Sequence, residues 1–224
     1  MYMLAVDTAT NSGGVALSRN SEVVGTIMLK TPLRYQEMLI ELVDFLLRQH
    51  QIRLADIGCL SAATGPGSFT GLRIGLATVK ALSQTLGLPC VGISTLKALA
   101  YRFSRMHPLV APMIDARRQQ VFAAVYRVED HTLHPEVNEQ VMRPQDWLKT
   151  LGSQDYLFVG DGADLYKSTV AAAFPQARIL ETDNRILDEL CRLAYQEYAQ
   201  GAMVAASELA PNYVRPSDAE LSRT

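Results

Sequence analysis

From Ile57 to Ile114 the chain contains no aspartate or glutamate, so its middle supplies neither a carboxylate acid or base nor an oxygen site for magnesium. The same stretch keeps Arg73, Lys80, Lys97, Arg102 and Arg105, a local positive excess that suits an acidic partner, a nucleotide, RNA or merely a solvated face. Over the whole chain 21 Lys and Arg stand against 23 Asp and Glu, which excludes a global pull toward nucleic acid or an anionic membrane. No apolar run reaches membrane-spanning length, the opening MYMLAVDTAT has no basic n-region, and Asp7 interrupts any signal core; the expected compartment is the cytoplasm. Cysteines are few: Cys59, Cys90 and Cys191 are odd in number, widely spaced and set among apolar neighbours, which argues against a disulfide framework or a metal knot and for reduced core thiols. Only His131 and His134 sit at ligand spacing, on what reads as a loosely held hairpin tip, so no metal site is expected. His50 closes a helix, where a cationic ring suits the dipole, and His107 precedes a proline; neither reads as catalytic.

What the chain does have is a core. At 224 residues, nearly half of them apolar, it is globular and long enough for one large domain or two lobes. Residues 2–6, 13–19 and 22–29 read as short strands joined by turns too brief for anything but antiparallel pairing. Helix 34–50, strand 57–63, helix 70–86, strand 90–93 and helix 95–105 follow, a rhythm of crossover units with parallel pairing. The order βββαβαβα describes a mixed sheet. Past His107-Pro108 the pattern restarts more loosely: strands VAPMIDA and QQVFAAVYRVE, a turn EDHTLHPE, another strand, a helix near 145–151, a strand YLFVGDG, and helices near 163–173 and 184–200. The expected domains are 1–107 and 108–224, with a late helix packing back on the first lobe. There is no low-complexity tract and no sequence repeat.

The segment GPGSFTGLRIGLA, 65–77, invites three ligand readings. A Walker loop needs a lysine after its second glycine, and none is there. A dinucleotide fingerprint needs G-x-G-x-x-G and an acid some twenty residues on; both are missing. A nucleophile elbow needs G-x-S-x-G, whereas Ser68 has Pro66 and Thr70 at those places. Close packing against a neighbour remains, beside a phosphate held at the helix start that Ser68 or Thr70 would cap. Gly71, Gly75 and Thr78 share one helix side, and glycine in a helix interior costs about 1 kcal/mol relative to alanine, so some contact should offset it.

In RYQEMLIELVDFLLRQH, 34–50, Tyr35, Met38, Leu39, Leu42, Val43 and Leu46 form an apolar stripe, which Phe45 widens on one flank and Ile40 with Leu47 on the other. The arc of roughly 220° is about twice what a helix lying on its own sheet requires. A second cover is expected: either the rest of the chain or a partner seated on this helix and the next, with the interface drawn from that stripe and from Gly71, Ile74, Gly75 and Thr78.

DTAT at 7–10, GPGSFTGLRIG at 65–75, GISTLKALA at 92–100, IDAR at 114–117 and PNYVRPSD at 211–218 together resemble the bacterial TsaB family over nearly the whole chain. The resemblance implies an actin-like ATPase (ribonuclease H-like) fold of two lobes, the second reduced, and work on N6-threonylcarbamoyladenosine beside the anticodon of tRNAs reading codons that begin with adenine. It implies a non-catalytic partner that docks through its first two long helices onto TsaD, the transferase, with TsaE joining, and that pairs with itself as an alternative when alone. The metal-binding histidines of TsaD fall at Tyr35, Thr95 and Leu99 here, so none carries over; many family members keep a histidine near 35. Older naming as a glycoprotease finds no H-E-x-x-H in this chain. Worn phosphate loops are expected at Asp7, Thr8, Gly65, Gly67 and Asp161, with weak ATP binding at best and no cofactor. The rival is an actin-like phosphotransferase or ATPase using Asp7 as base. Whether tRNA touches the 73–105 stretch stays open.

Overall fold

The computed structural model describes residues 1–30 and 35–214; Arg34, at the expected start of the first helix, and residues 215–218 of the closing motif lie outside them. The chain divides into two compact units, Met1–Ala98 with Arg185–Asn212, and Leu99–Asn184 with the residues from Tyr213 onward.

The first unit is built on strands β1 (Tyr2–Asp7), β2 (Gly13–Arg19) and β3 (Glu22–Leu29), helix α1 (Tyr35–Gln49), β4 (Ile57–Gly65), α2 (Phe69–Leu86) and β5 (Cys90–Ser94), followed by α3 (Thr95–Arg102). The strand order is β3-β2-β1-β4-β5. Pairing is antiparallel across β1, β2 and β3 and parallel from β1 through β4 to β5, as the short turns and helical crossovers require. Alternation along the strands sends Leu4, Val6, Val15, Leu17, Leu60 and Ala62 to one face, where they meet Leu39, Val43 and Leu46 of α1 and Leu76 and Val79 of α2. Ser68 caps α2, its hydroxyl accepting the Gly71 N–H at 3.2 Å, and Gly87 ends that helix at φ +67°.

The second unit repeats the plan with β6 (Leu109–Asp115), β7 (Val121–Glu129), β8 (Thr132–Met142), α4 (Pro144–Leu148), β9 (Leu157–Val159), α5 (Asp161–Leu165), α6 (Lys167–Ala173) and β10 (Arg178–Leu180). Its order, β10-β9-β6-β7-β8, is the first sheet's permutation with β6 in the place of β1. Trp147, Phe158, Met113, Val125 and Val170 fill its core, with Phe158 edge-on to Trp147 at 6.4 Å. Three local expectations need correction. The single helix expected near 163–173 is two, broken where Tyr166 leaves helical geometry at φ −108°, ψ 26°. The turn after β7 is only Asp130 and His131, both left-handed, and β8 begins at Thr132. Strand β10, three partly exposed residues, carries too short a pattern to be read from sequence.

Helix α7 (Leu187–Ala199) belongs to the first unit, where Asp188 accepts the Thr26 hydroxyl at 2.9 Å and Glu197 pairs with Lys97 at 2.7 Å. The chain then runs along the β5 edge: Cys90 and Val204 exchange backbone bonds of 2.9 and 2.8 Å, Leu209 enters the core, and the Asn212 N–H reaches the Thr64 carbonyl at 2.7 Å. No helix among the described residues is long and apolar enough to cross a membrane.

Candidate functional site

Asp7 ends β1 opposite Gly14, and its side chain folds back into the turn that follows. One carboxylate oxygen accepts the Ala9 N–H at 2.8 Å and the other the Thr10 hydroxyl at 2.7 Å. The residue is fully buried, and burial raises its pKa above the ordinary 3.8 against the lowering effect of those hydrogen bonds. A carboxyl held protonated more tightly in the fold than in the unfolded chain makes stability fall as pH rises from 3.8 through the raised value. Asp7→Asn keeps an acceptor for Ala9 and removes that penalty. Its thermal unfolding midpoint at pH 7 should equal or exceed that of the parent chain, with the difference closing below pH 3.8. A markedly lower midpoint at pH 7 would mean that the charge itself is needed.

The glycine loop wraps this turn. Ser68 donates its N–H to the Ala9 carbonyl at 2.8 Å, and the Thr8 hydroxyl donates to the Gly71 carbonyl at 2.6 Å. A methyl group at Gly67 would overlap the Ala9 carbonyl, and one at Gly71 the Thr8 carbonyl. Two of the N–H groups at the start of α2, those of Ser68 and Gly71, are already bonded within the chain. Of the two readings left open for 65–71, the geometry supports close packing: Gly67 and Gly71 lie against Ala9 and Thr8 of the Asp7 turn, while Gly65 lies against Leu72 and Asn212. Tyr35, at the start of α1, joins the same cluster, its hydroxyl accepting the Gly13 N–H at 2.8 Å and standing 3.3 Å from the carbonyls of Thr10 and Leu29. Burial, then the nearby Asp7 charge, pushes its phenol up to about 12.

In the second unit the counterpart of Asp7 by topology is Asp115, which ends β6 and makes the same turn, accepting the Arg117 N–H at 2.9 Å. Asp161 follows β9 and reaches this turn: its carboxylate accepts the Asp115 N–H at 2.9 Å, and its own N–H binds the Asn184 amide oxygen at 3.0 Å. Arg117 lies 3.2 Å from the second Asp115 oxygen, and Arg117, Arg118 and Gln119 are consecutively left-handed, at φ 60°, 51° and 60°. The signal missed was IDAR itself, an acid at a strand end as in DTAT.

On the helices the structure redistributes the expected interface. Tyr35, Leu39, Val43 and Leu46 are buried beneath α1, and Gly71 and Gly75 are spent on Thr8, so a partner cannot reach these six. Met38 and Leu42 are half-buried, as are Ile74 and Thr78 on α2. The apolar excess that is exposed sits on the flanks, at Phe45 (55% exposed) and Ile40 (57%), and Phe45 continues the Met38–Leu42 line at helical spacing. The stripe was read as one surface because periodicity gives an arc and not which edge of it the sheet covers.

Other expected residues fall into structural roles. Lys97 pairs with Glu197 and Arg102 with Asp183 at 2.9 Å, while the Arg73 guanidinium lies 4.0 Å above the Phe69 ring. Thr95 and Leu99 are fully buried. The three cysteines are buried and free, and burial pushes the thiols of Cys59 and Cys191 up to about 12, which keeps them protonated and unreactive. His134 lies on β8 opposite Arg127, and among the described residues no three or more His, Cys, Asp or Glu gather as metal ligands.

The family model for TsaD, tRNA N6-adenosine threonylcarbamoyltransferase, matches residues 30–222. The tRNA threonylcarbamoyladenosine biosynthesis protein TsaB of Escherichia coli (strain K12) is 30% identical over 225 residues, spanning 96% of this chain and 95% of that one. Its namesake from Bacillus subtilis (strain 168) is 29% identical over 225 residues, spanning 98% and 96%. Among solved structures, YeaZ from Pseudomonas aeruginosa has a TM-score of 0.82 at 27% identity, covering 95% of this chain and 99% of that one. With the strand permutation shared by both units, this likeness bears out the expected two-lobed actin-like fold. The chain belongs to the TsaB family, within the wider family that the TsaD threonylcarbamoyltransferase model describes.

Proposed function

We propose that the chain serves tRNA threonylcarbamoyladenosine biosynthesis as a non-catalytic subunit. It docks onto TsaD through the outer edges of α1 and α2 and orders that transferase, with TsaE joining the pair; the product is the modified adenosine beside the anticodon of tRNAs reading codons that begin with A. The observation that carries this reading is the chemistry at the three positions where the resemblance places the TsaD metal ligands. They hold a phenol, a hydroxyl and an alkyl group, each buried: Tyr35, Thr95 and Leu99. None is an imidazole, so a metal-dependent transfer step needs the partner. Family membership supplies the pathway, and the exposed Phe45 flank supplies a surface of the apolar kind that interfaces bury at their centre.

The rival, a phosphotransferase using Asp7, loses ground on geometry. Both Asp7 oxygens already accept hydrogen bonds from the chain's own turn, so the side chain has no approach for a substrate hydroxyl. Reconstitution decides between the two readings: with tRNA, the threonylcarbamoyl donor, TsaD and TsaE supplied, omission of this chain should abolish the modification, and this chain alone should give none. Modification by the isolated chain would overturn the proposal, and micromolar binding of Mg-ATP in calorimetry would restore the rival.

The docking surface has its own test. Phe45→Glu places a charge on the exposed flank, where it disturbs little of the core, and should weaken TsaD binding by at least tenfold, about 1.4 kcal/mol. Its unfolding midpoint should stay at the parent value. Unchanged binding in titration calorimetry would remove this flank from the interface. Sedimentation of the lone chain with and without the substitution shows whether self-association uses the same flank.

A further inference from the structure

The turn between β1 and β2 is bonded to both helices of the proposed docking surface. Toward α2, the Thr8 hydroxyl holds the Gly71 carbonyl at 2.6 Å and the Ala9 carbonyl holds the Ser68 N–H at 2.8 Å. Toward α1, the Gly13 N–H is held by the Tyr35 hydroxyl at 2.8 Å, and that hydroxyl has the Thr10 carbonyl in reach as its own acceptor at 3.3 Å. Asp7 closes the interior, binding Ala9 and Thr10 at once. Thr8, Thr10 and Tyr35 are buried, so water does not readily replace a bond that is lost. There is no slack either: a methyl at Gly13 would overlap the Asp7 carbonyl and crowd the Tyr35 hydroxyl, and one at Gly71 would overlap Thr8.

We propose that the 7–13 turn is a clasp that fixes the N-terminal ends of α1 and α2 relative to each other, and that Tyr35 and Thr8 are positioning residues for partner binding. The inference rests on the docking reading above. A surface contributed by two helices binds well only when both are held before the partner arrives, since ordering them afterwards subtracts from affinity. The turn is bonded at one end to α2 through Thr8 and Ala9 and at the other to α1 through Gly13.

The test uses the full chain and four variants. Tyr35→Phe removes the acceptor for Gly13, Thr8→Val removes the donor to Gly71, and a double variant combines the two. Val170→Ala, in the core of the other unit, lowers stability without touching the clasp. Hydrogen exchange of the isolated protein should show Tyr35→Phe speeding amide exchange at the start of α2 as well as α1, and Thr8→Val speeding it at the start of α1 as well as α2. Each should bind TsaD about tenfold more weakly, with the double variant losing less than the two losses combined. Val170→Ala should change neither affinity nor exchange at the two helix starts. Exchange confined to the mutated side, or an affinity loss that Val170→Ala reproduces, overturns the clasp. A parent chain that fails to bind TsaD overturns the docking reading instead, while cross-helix exchange in the isolated protein still decides whether the turn couples the two helices.

Discussion

Leu39→Glu leaves no folded protein. Leu39 sits about one turn into α1 at 1% exposure, packed in the cluster that holds Leu4, Val15, Leu17 and Leu60. Replacing it removes a buried leucine, about 1.5–3 kcal/mol of transfer free energy. It also forces a carboxyl into an apolar core with no partner, at a further cost of at least about 2 kcal/mol even if the group stays protonated. Together these, at least about 3.5–5 kcal/mol, reach the lower end of the whole stability of an ordinary domain, about 5–15 kcal/mol. The expected result is loss of the cooperative unfolding transition in circular dichroism, with most of the protein insoluble. From the sequence Leu39 reads as part of a stripe open to a partner, where a charge would block pairing and spare the fold, because the apolar arc is too wide for one contact. Burial reverses that expectation. A soluble Leu39→Glu variant with the parent transition would mean that α1 does not pack as described.

The difference between Leu39 and Phe45 marks how far sequence reaches. Element type and order were legible along the first unit, since α1 and α2 are long, periodic and bounded by turn residues, and short connections dictate antiparallel pairing. Beyond Asp161 the signal thins: Tyr166 interrupts a helix without glycine or proline, and β10 has three residues, too few to show a period. At the site, GPGSFTG announced close packing because glycines inside a helix need a neighbour, but it could not say which one. The neighbour turned out to be Thr8, from the chain's own first motif, and this is why Gly71 and Gly75 drop out of the expected interface. The matching turns of Asp7 and Asp115 had a signal, an acid at a strand end in both DTAT and IDAR, but it gains meaning only once β6 is seen to take the topological place of β1.

Gly71→Ala should lower the unfolding midpoint by several degrees, against the trend for its residue types. In a solvent-facing helix position alanine gains about 1 kcal/mol over glycine, so propensity alone forecasts a more stable protein. Here the added methyl would overlap the Thr8 carbonyl oxygen, a backbone atom with no rotamer to turn away. Relief requires α2 to lift from the end of β1, which lengthens or breaks the bond from the Thr8 hydroxyl to the Gly71 carbonyl and loosens the Leu72 and Leu76 contacts behind it. Overpacking of this kind costs about 1–3 kcal/mol, and a buried polar group losing its partner costs about 1–3 kcal/mol more. The steric terms therefore outweigh the propensity gain, and a net loss of about 1–5 kcal/mol corresponds to a midpoint lower by about 2–20 °C in a chain of this size. Gly87 is the contrasting position: its left-handed φ of +67° ends α2, yet nothing lies within 4 Å of a Cβ there. Gly87→Asn, a residue that tolerates that conformation, should shift the midpoint by no more than about 2 °C. Calorimetric scans of the two variants separate a glycine kept for space from one kept for backbone conformation, and an unchanged midpoint for Gly71→Ala would mean that the helix does not lie against Thr8.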